Sequence, residues 1–257
     1  MLTYFPMLSP YSGLLHGVST RHGGVSQGAF ASLNLGWTVG DRREHVEANT
    51  RRLSQALGVQ REHLTTTWQV HGKAIVRATA ADRGTMIGKA DGIITDVPNL
   101  PLIQRFADCT PILAYDPRRH VVGLAHAGWR GTVAGISGAL IEAMTQAFTS
   151  DPRDMLAIIG PAIGPCCYEV GSDVVAQVRA VFPNGDELLV GPPGPTNGNR
   201  RVHLDLWAAN RRQLLEAGVG QVVVSGVCTS CHRKTYYSHR ADQGRTGRFA
   251  TVAQLRP

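Results

Sequence analysis

Pro111-Ile112-Leu113-Ala114-Tyr115 and His120-Val121-Val122-Gly123-Leu124-Ala125 are two apolar runs separated by Asp116-Pro117-Arg118-Arg119. Asp first and Pro second are residues that a β-turn favours, so the stretch predicts an antiparallel hairpin. A hairpin rules against an all-parallel, doubly wound architecture, in which strands are joined by crossover helices. If the hairpin is symmetric about the Pro117–Arg118 bond, Cys109 stands opposite His126. Directly opposed residues project from one face with Cβ atoms about 5 Å apart. One thiolate and one imidazole would then be close enough to share an ion.

Working outward, residues 64–69 and 74–78 read as strands flanking His71-Gly72, and 93–95, 102–106, 155–159 and 222–224 read as further strands. Asp41 and Glu44 suggest a capping box for a helix carrying Val46, Leu53 and Leu57 and stopping at Gly58. A second helix is expected over 132–148, with Val133, Ile136 and Leu140 at helical spacing. Ser172 is expected to cap a third, broken by Pro183-Asn184-Gly185, and Asp205 a fourth that ends at Gly218. Residues 191–199 read as a Gly/Pro/Asn loop and 236–250 as a polar tail. With no linker and no repeat, the expectation is one α/β domain of mixed strands over residues 1–257.

The chain has 257 residues, 43% hydrophobic and 18% charged, which is the profile of a soluble globular protein with ample length for a core. No apolar run approaches the ~20 residues that span a bilayer, so no membrane partner is expected. Five cysteines, an odd number, and an N-terminus without a basic region before an apolar stretch point to a reducing, cytoplasmic location. The net charge of +7 comes from arginines scattered singly or in pairs, with only Lys73, Lys89 and Lys234 as lysines. No basic run suggests nucleic acid. An anionic small molecule suits scattered Arg.

Two imidazoles and one thiolate, His71, Cys109 and His126, suit zinc or copper, and three protein ligands leave a tetrahedral zinc one open position. Spacing alone does not recruit His71. Gly128-Trp129-Arg130-Gly131-Thr132 turns from the strand bearing His126 into a helix, a candidate anion site with Arg130 as added charge. Cys228-Thr229-Ser230-Cys231-His232 matches half of a zinc ribbon. The only other cysteine pair, Cys166-Cys167, is adjacent and offers no ribbon spacing. The motif reads as structural, and with His71, Cys109 and His126 as a complete ligand set, Cys228 and Cys231 are expected to be dispensable for metal binding.

Together these segments resemble the bacterial laccase-domain family, also described as purine nucleoside phosphorylases of the polyphenol-oxidase type. The resemblance rests on Arg21-His22-Gly23-Gly24-Val25-Ser26, Ser32-Leu33-Asn34-Leu35-Gly36, Gln69-Val70-His71-Gly72, Ala107-Asp108-Cys109 and His126-Ala127-Gly128-Trp129-Arg130-Gly131. It continues through Ile159-Gly160-Pro161, Tyr168-Glu169-Val170, His203-Leu204-Asp205-Leu206 and Gly247-Arg248. Ala90-Asp91-Gly92 and Arg105-Phe106 depart from the pattern. The resemblance implies a four-layer α/β/β/α arrangement with mixed sheets and a zinc held by His71, Cys109 and His126, which would also be the catalytic residues. It implies phosphorolysis of adenosine, inosine and related nucleosides, including methylthioadenosine, with companion adenosine deamination. The substrates would be a nucleoside and phosphate, with Arg130, Arg21 and Asn34 as substrate-binding candidates. Oligomeric state is left open. Three alternatives stand beside this reading: a copper polyphenol oxidase, a zinc amidase acting on cell-wall precursor peptides, and a non-enzymatic basic module stabilised by metal. Against the first, none of the ten histidines forms a His-x-His pair.

Overall fold

The computed structural model describes residues 1–191 and 201–257, so most of the 191–199 loop lies outside the described residues. In chain order, β1 (Leu2–Thr3) and β2 (Leu14–Ser19) precede helix α1 (Arg43–Leu57). Then follow β3 (Thr66–Trp68), β4 (Ile75–Arg77), β5 (Met86–Lys89), β6 (Gly92–Thr95) and β7 (Leu102–Phe106). The hairpin strands β8 (Thr110–Asp116) and β9 (Val121–Ala127) lead into α2 (Trp129–Ala134) and α3 (Ile136–Phe148). The remainder comprises β10 (Leu156–Ile159), β11 (Glu169–Val170), α4 (Ser172–Val181), β12 (Leu189–Val190) and β13 (Val202–Leu204). Helix α5 (Leu206–Glu216), β14 (Gln221–Val224) and β15 (Phe249–Leu255) complete it.

Two sheets stack. A six-stranded sheet runs β14-β10-β8-β9-β6-β4, and a four-stranded one runs β1-β2-β15-β7. In the first, the edge pairs β10/β14 and β4/β6 are parallel and the inner pairs antiparallel, so the sheet is mixed. Strands β8 and β9 are buried on both faces and read as continuous apolar runs. One face packs Ile112, Ala114, Ala125 and Ala157 against Ile136, Leu140 and Met144 of α3 and Leu214 of α5. The other face packs Leu113, Leu124 and Ile158 against Leu14, Leu102 and Leu255 of the second sheet. The far side of the second sheet, with Ile103 and Val252, is closed by Leu53 and Leu57 of α1. The layers are thus α/β/β/α. Each fully buried Leu or Ile in these seams contributes roughly 1.5–3 kcal/mol.

Five local expectations need correction. Ser172 is the first residue of α4 rather than its cap, and no side chain caps that helix. The hairpin register is shifted by two: Pro111 faces His126, and Asp116 faces Val121 across a four-residue loop. The loop is longer than a two-residue turn because Asp116 Oδ1 accepts the backbone N–H groups of both Arg118 and Arg119, and His120 closes it at φ +54°. The helix expected over 132–148 is interrupted at Gly135, whose φ of +90° is left-handed backbone that favours glycine. Asp41 is no helix cap: its carboxylate accepts from Ser26 Oγ and Asn34 Nδ2, and α1 starts without a side-chain cap. The polar tail over 236–250 runs into β15 at Phe249 and Ala250, and that strand pairs with both β2 and β7 inside its sheet. The Asp205 cap is present, accepting from Ala208 N at 2.9 Å. No helix of the described residues is long and apolar enough to cross a membrane.

Candidate metal centre

His126 and Cys109 reach the same place despite the shifted register, because a slip of two preserves which face a residue occupies. Along β8 and β9, Leu113 and Leu124 point between the two sheets, and by the period of two so do Cys109 and His126. Extending the register past the ladder sets Gly128 opposite Cys109. A Cβ at Gly128 would lie 3.0 Å from Cys109 Sγ and 3.2 Å from His71 Cδ2, so a glycine there admits the close approach. Gly128→Ala is expected to weaken metal retention roughly tenfold, the lower end of what disturbing a ligand's neighbour costs. Zinc competition against a chelator measures this, and unchanged affinity would contradict the geometry.

His71 arrives through Asp91. The Asp91 carboxylate is fully buried and accepts the backbone N–H groups of Val70, His71 and Gly72 at 3.1, 2.9 and 2.7 Å. These bonds hold His71 at φ +63°, in left-handed backbone uncommon for a residue with a side chain. The same carboxylate bonds His126 Nδ1 at 2.9 Å, leaving that ring's Nε2 for a metal. Gln69 completes the loop, pairing with the backbone N–H and C=O of Arg105 as a strand would. Burial alone would raise the Asp91 carboxyl; the bonds from His126, Gly72 and His71 prevail and hold it below the usual carboxylate range.

The donor atoms of His71, Cys109 and His126 lie within 4.8 Å of one another. Burial pushes the Cys109 thiol up, but the charge and hydrogen bond of His126, with the hydrogen bond of His71, bring it down to about 6. A thiolate is therefore accessible at neutral pH, the form that ligates metal. His126 is opposed by burial and raised to about 9 by the Cys109 thiolate and the Asp91 bond. The donor set and the carboxylate behind it fit a zinc or copper ion with three protein ligands.

These residues form one wall of a cavity of about 550 Å³. Arg105, Arg130, Arg240 and Arg248 also line it, and none of the four forms an ion pair among the described residues. Burial lowers the Arg105 guanidinium to about 10, still protonated at neutral pH. Arg130 is exposed and stacks 4.4 Å from the Trp129 ring. Trp37, Trp68 and Tyr168 add aromatic surface. The helix start beside Arg130 belongs to α2, which has only six residues, so its dipole adds little and the guanidinium is the relevant cation.

The other two substrate-binding candidates do not line the cavity. Arg21 donates to the carbonyls of Ala31 and Arg233 and stacks on Tyr237. Asn34 is fully buried and accepts the backbone N–H of Gly36 and of Arg248. Both shape loops, and Asn34 positions Arg248. Sequence reading missed Asp91, Arg105, Arg240 and Tyr168. Asp91 and Arg105 sit in the two stretches that depart from the family pattern. Although adjacent in sequence, Cys166 and Cys167 meet Cys228 and Cys231 in a second cluster, which spacing did not reveal.

Comparison with known proteins decides the lineage. The model of the multi-copper polyphenol oxidoreductase laccase family matches residues 15–256. The chain belongs to this laccase family. Purine nucleoside phosphorylase YlmD of Geobacillus stearothermophilus is 43% identical over 249 residues, covering 93% of this chain and 89% of that protein. Purine nucleoside phosphorylase YfiH of Escherichia coli is 34% identical over 239 residues, covering 92% of each. The crystal structure of the Geobacillus YlmD aligns with a TM-score of 0.88 at 41% identity, over 97% of this chain and 94% of that one. That of the Bacillus licheniformis protein YfiH gives 0.89 at 37%, over 94% and 92%. In this laccase-family chain the mixed sheets and helical outer layers are those of its solved relatives.

Proposed function

We propose that this chain is a zinc-dependent purine nucleoside phosphorylase, a single catalytic domain acting on adenosine, inosine and related nucleosides such as methylthioadenosine. The observation that carries the reading is one cavity with the His71–Cys109–His126 donors on its wall and around it four arginines whose guanidinium groups form no ion pair among the described residues. Phosphorolysis breaks the bond between base and ribose and forms one from a phosphate oxygen to the same anomeric carbon. The cavity must therefore hold an anion beside a purine. Arg130, with Arg105 and Arg248, supplies the charge for phosphate. Trp37, Trp68, Trp129 and Tyr168 offer flat apolar surface for the base. The names of the relatives support the same activity.

His71, Cys109 and His126 would hold the zinc, with Asp91 fixing the His126 ring so that Nε2 faces the ion. Bound there, the zinc supplies Lewis acidity toward an oxygen of substrate or water. Two imidazoles and one thiolate suit zinc, and copper remains the competing metal. Adenosine deamination, in which water replaces the amino group at C6 of the ring, is the companion activity such a centre supports. Incubating metal-quantified protein with adenosine, with and without phosphate, tests the reading. Adenine and ribose 1-phosphate should appear only with phosphate, and inosine in either case. Phosphate-independent release of adenine would contradict it.

Arg130→Ala separates the two activities. A charge-assisted hydrogen bond is worth about 1.5–3 kcal/mol, so phosphorolysis at limiting phosphate should fall roughly tenfold to a hundredfold. Deamination needs no phosphate and should change less. Equal losses would make Arg130 a scaffold residue.

A further inference from the structure

The cavity's Tyr168 and Arg240 stand on two loops that contain no regular structure, and something must hold those loops together. Residues 160–168 and 225–240 meet through a bridge between Ala162 and Cys228, with Ala162 N bonded to Val227 O and Thr229 N to Ala162 O. Beside that bridge four cysteines converge. The Sγ atoms of Cys166, Cys167, Cys228 and Cys231 all lie within 4.8 Å of one another. Cys231 Sγ is 3.5 Å from that of Cys166 and 3.4 Å from that of Cys167. None of the four is in a disulfide.

We propose that Cys166, Cys167, Cys228 and Cys231 bind a second, structural zinc ion, distinct from the one at His71, Cys109 and His126. The spacing is the first argument. Four thiolates at a zinc–sulfur distance of about 2.3 Å stand roughly 3.8 Å apart along the edges of a tetrahedron, close to what the chain already holds. The sulfurs enclose room for one ion, whereas an iron–sulfur cluster would set its thiolates farther apart. Four protein sulfurs also leave no open position, which is the pattern of a structural site.

Local backbone is the second argument. The adjacent pair converges because a turn at 165–167 folds the chain back, with Cys167 N and Tyr168 N both bonded to Gly164 O. Gly164 N donates to Cys228 Sγ at 3.2 Å. Amide donors aimed at a sulfur stabilise it as a thiolate. Binding displaces the thiol protons to solvent and forms four zinc–sulfur bonds, with no change of oxidation state.

The ion would pin the 160–168 loop to the 228–231 turn. From that turn Thr229 Oγ1 donates to Asp108 Oδ1 at 2.6 Å, while Arg240 N donates to Asp108 Oδ2 at 2.6 Å. Asp108 precedes Cys109. The second ion thus sets the far wall of the cavity without touching substrate.

Metal analysis of the full-length protein, purified without chelator, tests the proposal. Wild type should carry about two zinc per chain, the Cys228→Ser/Cys231→Ser variant about one, and Cys109→Ala about one. Equal zinc in wild type and the double serine variant would overturn the second site, whatever happens at Cys109. Alkylation of native wild type followed by mass mapping does not depend on a folded variant. Cys166, Cys167, Cys228 and Cys231 should be protected together and become reactive together once a chelator removes the metal. Free labelling of the exposed Cys166 and Cys231 before chelation would overturn the proposal. So would a mass deficit of one hydrogen pair per bond, which marks disulfides.

Discussion

Replacing Cys109 by alanine is expected to abolish phosphorolysis and remove one zinc per chain while leaving the fold in place. Cys109 supplies the only thiolate of the three-ligand set, and both imidazoles lean on it. Without it, His71 and His126 are a two-ligand remnant that binds zinc weakly at neutral pH. Stability should change little. Cys109 is half-buried at a strand end, and trimming one sulfur from such a position costs on the order of 1 kcal/mol. Thermal melting and metal analysis on the same sample check both parts. A variant with wild-type zinc content and wild-type turnover would remove the triad from the account.

Asp91→Ala is expected to have the larger effect on stability. Its carboxylate gathers three backbone N–H groups and the His126 ring in a site without solvent contact. Removing it strands those donors, and breaking a buried charge pair in this way costs about 3–5 kcal/mol. For a chain of this size that lowers Tm by on the order of 10 °C. The His71 loop would relax from its left-handed backbone and the metal would be lost with it. The Asp91 variant should therefore show a depressed Tm and reduced zinc together. A protein that melts with the wild type and keeps its metal would show that Asp91 organises nothing.

The convergence of Cys109 and His126 in the candidate metal centre is legible in the sequence, and the reason is parity. A hairpin keeps two residues on one face when its loop length is misjudged by an even number of residues. The two-residue error at Asp116–Val121 therefore moved Cys109 from direct to diagonal opposition without taking it off the His126 face. His71 was beyond spacing arguments, because a buried carboxylate twenty residues later in the chain draws it in. The resemblance to a family supplied it instead. Strand β15 hides behind an irregular polar stretch, so its place at the centre of a sheet is visible only in three dimensions. The convergence of the four cysteines is hidden from the sequence for a related reason. Ribbon spacing assumes two separated pairs on knuckles, whereas here one pair is adjacent and a turn at 165–167 does the folding back. Arg21 and Asn34 carry the opposite lesson. Residues of a family motif can hold the chain in shape, as Asn34 does for Arg248, without lining the cavity.

The most direct test of the central claim is ribose 1-phosphate formation from inosine and phosphate by protein of known metal content. Turnover should track zinc bound at His71, Cys109 and His126, vanish when a chelator strips it, and return when zinc is restored. Sustained ribose 1-phosphate production by the stripped protein, or none by fully zinc-loaded protein, would contradict the account.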